Sequence, residues 1–320
     1  MPIDMARSTT TPPSPGDAAS KKEQRRASKR DNDAFSREMA VVRTAQRRRR
    51  CIRNRIVLVL SLVVAVALVA AGTGFFLWKR ADDALAGPKN MRSDGILLTG
   101  NGTKIAPTTT AAIPPHGKAV ATDAATRAPS GVVPIDVYLD YGQPSSARFG
   151  AANATQLSNW VTQGLITLEI HPVALSSAHG RYSARAANAM ACVAATAPDS
   201  YLAASDALLA AAAKKGFGHP SDAGIATLIR KAGVRSSEVA SCITGESYAA
   251  WVTTATRRAT TTKLPHTKVG ELTAAPLALV NGTPYRSKLA DAGAFATFTA
   301  GVAEAIEESA AAASGGGAAG

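Results

Sequence analysis

The stretch from Val132 to Phe149, Val-Val-Pro-Ile-Asp-Val-Tyr-Leu-Asp-Tyr-Gly-Gln-Pro-Ser-Ser-Ala-Arg-Phe, constrains the fold of this chain more than any other. Ile135, Val137 and Leu139 recur with the period of a strand, and β-branched side chains suit a pleated, buried surface. Gly142 and Pro144 end that pattern, and Ser145 or Ser146 is a candidate cap for a following helix. A buried strand turning sharply into a helix brings unpaired backbone N–H groups and the positive end of the helix dipole to one exposed place. The residues at that place are Gln143, Pro144, Ser145 and Ser146, and none of them ionises near neutral pH. The chain sets up a position suited to chemistry and leaves it without a reactive group.

Downstream, the spacing predicts a helix over 146–163 with Phe149, Ala152, Leu157, Trp160 and Val161 on or near one face, ended by Gly164. Leu165–Ile170 reads as a second strand, closed by His171-Pro172. Strand, helix, strand at this spacing implies two parallel strands joined right-handedly. Residues from about 180 to 262 then read almost entirely as helix, in Ala-rich pieces over 183–196, 200–215, 221–231, 236–242 and 246–260, forming a separate lobe. Strand pattern returns at Pro276–Val280. Asn281-Gly282 signals a hairpin to a partner strand over 283–288, and an amphipathic helix over 291–309 carries Phe295, Phe298, Val302 and Ile306. Aromatic residues make up only 5% of the chain, so this core is expected to be built from small side chains on helices.

The N-terminal third has a different character. Residues 1–55 hold 15 Lys/Arg against 6 Asp/Glu, which accounts for most of the net charge of +13. With its Ser, Thr and Pro this segment cannot bury enough apolar surface to order itself, and it reads as a disordered tail, with 33–50 a candidate for a transient helix. Ile56–Trp78 is a run of 23 residues without a charge, about 34 Å long as a helix. Six arginines lie just before it, so the positive-inside bias predicts a single-pass span with a cytoplasmic N-terminus and the rest of the chain extracytoplasmic. The rival readings are a cleaved signal peptide ending near Ala84-Leu85-Ala86 and a buried soluble helix. A basic tail beside a membrane span needs no nucleic acid to explain it, and none is expected as a partner. Residues 79–130, rich in Pro, Thr and Ala, read as a linker, with Gly95–Gly100 a candidate edge strand. The folded domain is then expected over 131–308 and a low-complexity tail over 309–320.

The order of elements, with these motifs, resembles the DsbA-like thioredoxin-fold family of the actinobacterial membrane-anchored type, a thioredoxin fold carrying an all-helical insertion. Tyr138–Phe149 resembles that family's active-site segment, in which an aromatic and acidic run precedes Cys-Pro-x-Cys. The run Tyr182–Ala189, followed by Ala191-Cys192-Val193, resembles the first insert helix, and Cys242-Ile243 with Tyr248 and Trp251-Val252 resembles the end of the insert. Ala275–Gly282 resembles the family's Thr-Pro-x-x-x-Val-Asn-Gly, whose proline is cis and lines a peptide groove. The resemblance covers about residues 131–308. It implies thiol–disulfide exchange by two cysteines, but the matching positions here are Gln143 and Ser146, and Ala275 replaces the threonine before Pro276. It also implies that Cys192 and Cys242 form a structural disulfide across the insert, with a stabilisation of about 3–4 kcal/mol; a functional redox pair and free thiols are the rivals.

Other chemistry finds little support. A nucleophilic Ser145 or Ser146 needs a histidine base that no spacing supplies. His116, His171, His179, His219 and His266 show no metal-ligand spacing and no nearby carboxylate cluster, so neither metal nor cofactor is expected. Cys51 reads as an inert or acylated juxtamembrane thiol. The expectation is a membrane-anchored, DsbA-like envelope protein without its redox motif, acting as a binding or scaffold module for an extracytoplasmic protein or peptide through the Ala275-Pro276 loop. The alternative is an oxidoreductase or isomerase acting in envelope disulfide formation.

Overall fold

The computed structural model describes residues 85–214 and 217–315 and, before them, 23, 25–26, 28–30, 55, 57–70 and 72–74. The chain divides into two units, Met1–Leu77 and Trp78–Gly320. In the first, the described residues between 23 and 30 are helical. The rest of the expected basic tail, the expected helix at 33–50, Cys51 and residues 75–84 lie outside the described residues. Val57–Gly74 is, among the described residues, the one helix long and apolar enough to cross a membrane, with a mean hydropathy of 2.5. Its large apolar side chains are exposed, Val57 by 60% and Leu68 by 68%.

The second unit is built on a six-stranded sheet. Its strands are β1 (Ile96–Gly100), β2 (Ile105–Pro107), β3 (Val133–Leu139), β4 (Ile166–Pro172), β5 (Leu277–Val280) and β6 (Thr283–Pro284), in the order β2-β1-β4-β3-β5-β6. β3 and β4 are parallel and the other neighbours antiparallel. The helices are α1 (Ala124–Arg127), α2 (Pro144–Thr162), α3 (Ala178–Thr196), α4 (Tyr201–Ala212), α5 (Asp222–Lys231), α6 (Ser237–Thr244), α7 (Ala249–Thr261) and α8 (Ala292–Gly315). The crossover β3–α2–β4 and the five-helix insert between β4 and β5 match the sequence expectation. The partner strand expected over 283–288 is shorter, and the last helix runs on into the low-complexity segment.

The period of two divides the sheet into two faces. Ile135, Val137 and Leu139 of β3 join Ile166, Leu168 and Ile170 of β4 in the main core, packed by Phe149, Leu157 and Val161 of α2 and Phe295 of α8. Phe149 meets Phe295 edge-on at 5.4 Å. A Cβ on Gly150 would fall 2.5 Å from Leu209 Cδ1, so α2 and α4 touch there only because no side chain intervenes. On the other face, Tyr138, Leu279, Leu264 and Leu272 form a second, smaller cluster.

Residues 85–130 are not a linker. Met91, Ile96 and Leu98 sit in the main core, and Ile113 is buried. Asn90 Nδ2 donates to Ala194 O at 2.9 Å, tying this segment to the insert. β1 is an interior strand rather than an edge, since β2 pairs on its outer side. Arg127 makes the strongest attachment, donating from Nε to Asp136 Oδ1 at 3.1 Å and from Nη2 to Oδ2, with both residues 5% exposed. The prolines that argue against helix here do not argue against packing.

Cys192 on α3 and Cys242 on α6 form a disulfide, with Cα atoms 5.8 Å apart and a sequence separation of 50. By shrinking the unfolded ensemble it is expected to stabilise by about 3–4 kcal/mol. Cys192→Ala with Cys242→Ala should therefore lower the melting temperature by about 10 °C. A shift of a degree or less, read by circular dichroism on the full chain, would contradict a structural role.

Asp206 on α4 supplies a pH signature. Burial pushes its carboxyl up to about 6 from its ordinary value of 3.8. The folded state therefore binds this proton more tightly than the unfolded state, so the side chain lowers stability progressively as pH rises from about 4 to 6 and by a constant amount above that. Asp206→Asn is expected to raise stability by about 1–2 kcal/mol at pH 7 and by nothing near pH 4. Urea melts at the two pH values check the sign.

Candidate functional site

The β3-to-α2 turn is held from below by Asp140, which is fully buried. Its Oδ1 accepts the Gly142 N–H at 2.8 Å. Its Oδ2 accepts the N–H groups of Leu175 at 2.8 Å and Ser176 at 3.3 Å. One carboxylate thus fixes the turn and binds it to the segment after β4, with the Gly142 and Leu175 bonds the shorter two. Gly142 has no room for a Cβ, which would lie 2.3 Å from Ser183 Oγ. The start of the insert therefore presses directly on the turn.

Helix α2 begins at Pro144, with Gln143 as its N-cap residue and no side-chain cap. The expectation that Ser145 or Ser146 caps this helix is corrected, because Pro144 fixes the backbone for the first helical position and moves the start upstream of both. Each serine has another role. Ser146 is fully buried and its Oγ accepts the Asp140 N–H at 3.3 Å. Ser145 Oγ donates to Ala275 O at 2.8 Å. The Ala275–Pro276 bond is cis. Among the described residues the N–H groups of Ser145, Ser146, Thr273, Ala274 and Ala275 have no hydrogen-bond acceptor.

The structure thus brings Gln143–Ser146 and Ala275–Pro276 together as one site. Gln143 is half-buried at the helix tip, and Ser146 lies beneath it one turn further in. Neither serine hydroxyl is hydrogen-bonded to a histidine among the described residues. His171 lies on the second face of the sheet, and His179 stacks on His219 at 3.7 Å. Cys192 is nine residues along α3 from Ser183, roughly 13 Å by helical rise. It is fully buried and already bonded to Cys242.

The sequence reading missed a buried polar cluster. In the β3–β4 register Asp136 faces Glu169 and Tyr138 faces His171. The ligating atoms of Asp136, Glu169 and His171 lie within 4.8 Å of one another. The expectation that no histidine has carboxylates beside it is thereby corrected. Arg127 bonds both oxygens of Asp136, while Ser93 and Thr122 hydroxyls donate to Glu169 Oε1. The signal was present as Glu169-x-His171, two residues apart and so on one face of a strand. It shows only once Asp136 is set in register beside it.

Residues 125–268 match the family model described as Thioredoxin. No curated protein matches the chain. Among solved structures, the thiol–disulfide oxidoreductase MdbA from Actinomyces oris is similar at 20% identity and a TM-score of 0.47, over 56% of this chain and 84% of that one. Reduced DsbA from Mycobacterium tuberculosis is similar at 21% identity and a TM-score of 0.43, over 65% and 98%. Bacillus subtilis BdbD is similar at 17% identity and a TM-score of 0.43, over 55% and 90%.

Proposed function

We propose, on the premise that this chain carries a DsbA-like thioredoxin fold, that it is a membrane-anchored extracytoplasmic binding module that performs no thiol–disulfide exchange. One observation carries the reading. The turn and the cis-proline loop are assembled with the fold's geometry, while Gln143 and Ser146 stand where exchange needs sulfur. Neither an amide nor a buried serine hydroxyl can form or attack a disulfide. The backbone beside them can still bind. Thr273, Ala274 and Ala275 present N–H groups without acceptors, which suits an extended peptide pairing along the loop. The apolar helix Val57–Gly74 and the basic residues before it support anchoring with the N-terminus inside.

The full chain in lipid nanodiscs should reduce insulin no faster than a protein-free control, and should capture a peptide or protein whose binding is lost on Ala274→Pro, which removes one of the N–H donors. Turnover above background that disappears in Cys192→Ala with Cys242→Ala would overturn the reading in favour of an oxidoreductase using the insert disulfide.

A further inference from the structure

The segment before β3 presents a face that neither the turn nor the Ala275-Pro276 loop uses. Residues 87–94 run along α7, where a Cβ on Gly87 would fall 3.1 Å from Trp251 Cδ1 and Arg258 Nε donates to Asp94 Oδ2 at 2.6 Å. Residues 118–120 lie beside them, because the Val120 N–H donates to Arg92 O at 2.9 Å. Lys89 and Arg92 are exposed and follow the buried Pro88 and Met91. Lys118 and Val120 are exposed on either side of half-buried Ala119. Lys263 is exposed on the rim of a cavity that Asp94 and Ala119 also line.

Charge and apolar surface coincide here. Lys89, Arg92, Lys118 and Lys263 make no ion pair among the described residues. Asp94 is held by Arg258, and Asp123, the one exposed acid between residues 85 and 123, caps α1. Outside the apolar helix, the exposed large apolar side chains among the described residues are Leu85, Val120 and Leu165, and the first two belong to this segment. Scattered singly they would mean little. Beside four unpaired cations they make the basic and apolar mixture that settles at a lipid headgroup layer.

Chain connectivity supplies the partner. The uncharged run ends at Trp78, seven positions before Leu85, and seven residues span at most about 25 Å. Within that interval Lys79 and Arg80 offset Asp82 and Asp83. A bilayer holding the run is thus within covalent reach of Leu85, at a high effective concentration. We propose that this face, with Leu85, Lys89, Arg92, Lys118, Val120 and Lys263, docks on anionic lipid headgroups of the bilayer that anchors the chain. The inference rests on the anchored reading above. Each cation is expected to multiply affinity for an anionic surface about five-fold.

The test places the full chain in phosphatidylcholine nanodiscs, with and without added phosphatidylglycerol. Lysines are methylated with formaldehyde and cyanoborohydride, and each site is read by mass spectrometry. At about 0.05 M salt Lys89 and Lys118 should react about ten-fold more slowly in the phosphatidylglycerol discs, and Lys231 in the insert equally in both. At about 0.5 M salt the difference should shrink below about two-fold. Arg92→Glu with Val120→Asp, both at exposed positions, should return Lys89 and Lys118 to their neutral-disc rates. Arg230→Glu with Arg235→Glu, a larger charge change on the insert, should leave their protection in place. Equal rates in the two discs at low salt, in a chain that stays in the discs through a high-salt wash, overturn the docking and leave the anchoring intact. A chain washed out of neutral discs overturns the anchoring and the docking with it. Protection lost as completely in the insert variant as in the face variant assigns the effect to net charge and overturns this face as its source.

Discussion

Replacing Gln143 and Ser146 together by cysteine is expected to give a chain that catalyses insulin disulfide reduction, where the natural sequence is expected to give only the uncatalysed rate. The framework for this is present. Residue 143 is half-exposed at the N-cap of α2, and residue 146 is buried one turn further in. That places one accessible and one sheltered sulfur on the same helix end. A thiolate at 143 would face the acceptor-free N–H groups of Ser145 and Ser146 and the positive end of the helix dipole. Such positions lower a thiol from about 8.5 into the range of about 3.5–7.5. A shift to about 6.5 would raise the thiolate fraction at pH 7 about 25-fold. Gln143→Cys alone should form mixed disulfides without turning over, since no second thiol resolves them. A double variant whose 143–146 disulfide is verified by mass spectrometry, but which shows no turnover, would mean that the surrounding structure is not a redox framework.

The second large effect lies far from the turn. Arg127→Met is expected to cost about 3–5 kcal/mol, because it strands the buried Asp136 carboxylate without either of its hydrogen bonds. The double variant Arg127→Met with Asp136→Leu should recover most of the loss, since a well-packed apolar pair often replaces a buried ion pair at little cost. Urea denaturation of the full chain and both variants measures this. Equal destabilisation in the single and double variants would assign the effect to packing of the Arg127 side chain rather than to charge.

Arg127 also shows where the sequence stops being legible. The β3–α2–β4 unit, the insert and the last helix each announce themselves by a local period, because burial on one face forces a repeat of two or of 3.6. Residues 85–130 have no such repeat. Their contribution comes one side chain at a time, Met91 and Ile113 into the core, Asn90 to the insert, and Arg127 to a strand nine residues on. Pro, Thr and Ala mark a linker by composition, and only long-range contacts distinguish a linker from a wrapped segment. The turn was legible for the opposite reason. Its residues are contiguous, so the absence of sulfur at Gln143 and Ser146 can be seen directly. That Ser145 reaches Ala275, 130 residues away, cannot.

The insert disulfide has a consequence for how the protein is made. Joining two thiols as Cys192–Cys242 releases two protons and two electrons, and the electrons must go to an acceptor. The chain has three cysteines, and the third, Cys51, precedes the apolar run while the bonded pair follows it. With one cysteine left over, no second disulfide can exist within the chain to accept those electrons. The oxidant therefore comes from another molecule, which makes this chain a disulfide recipient as it folds.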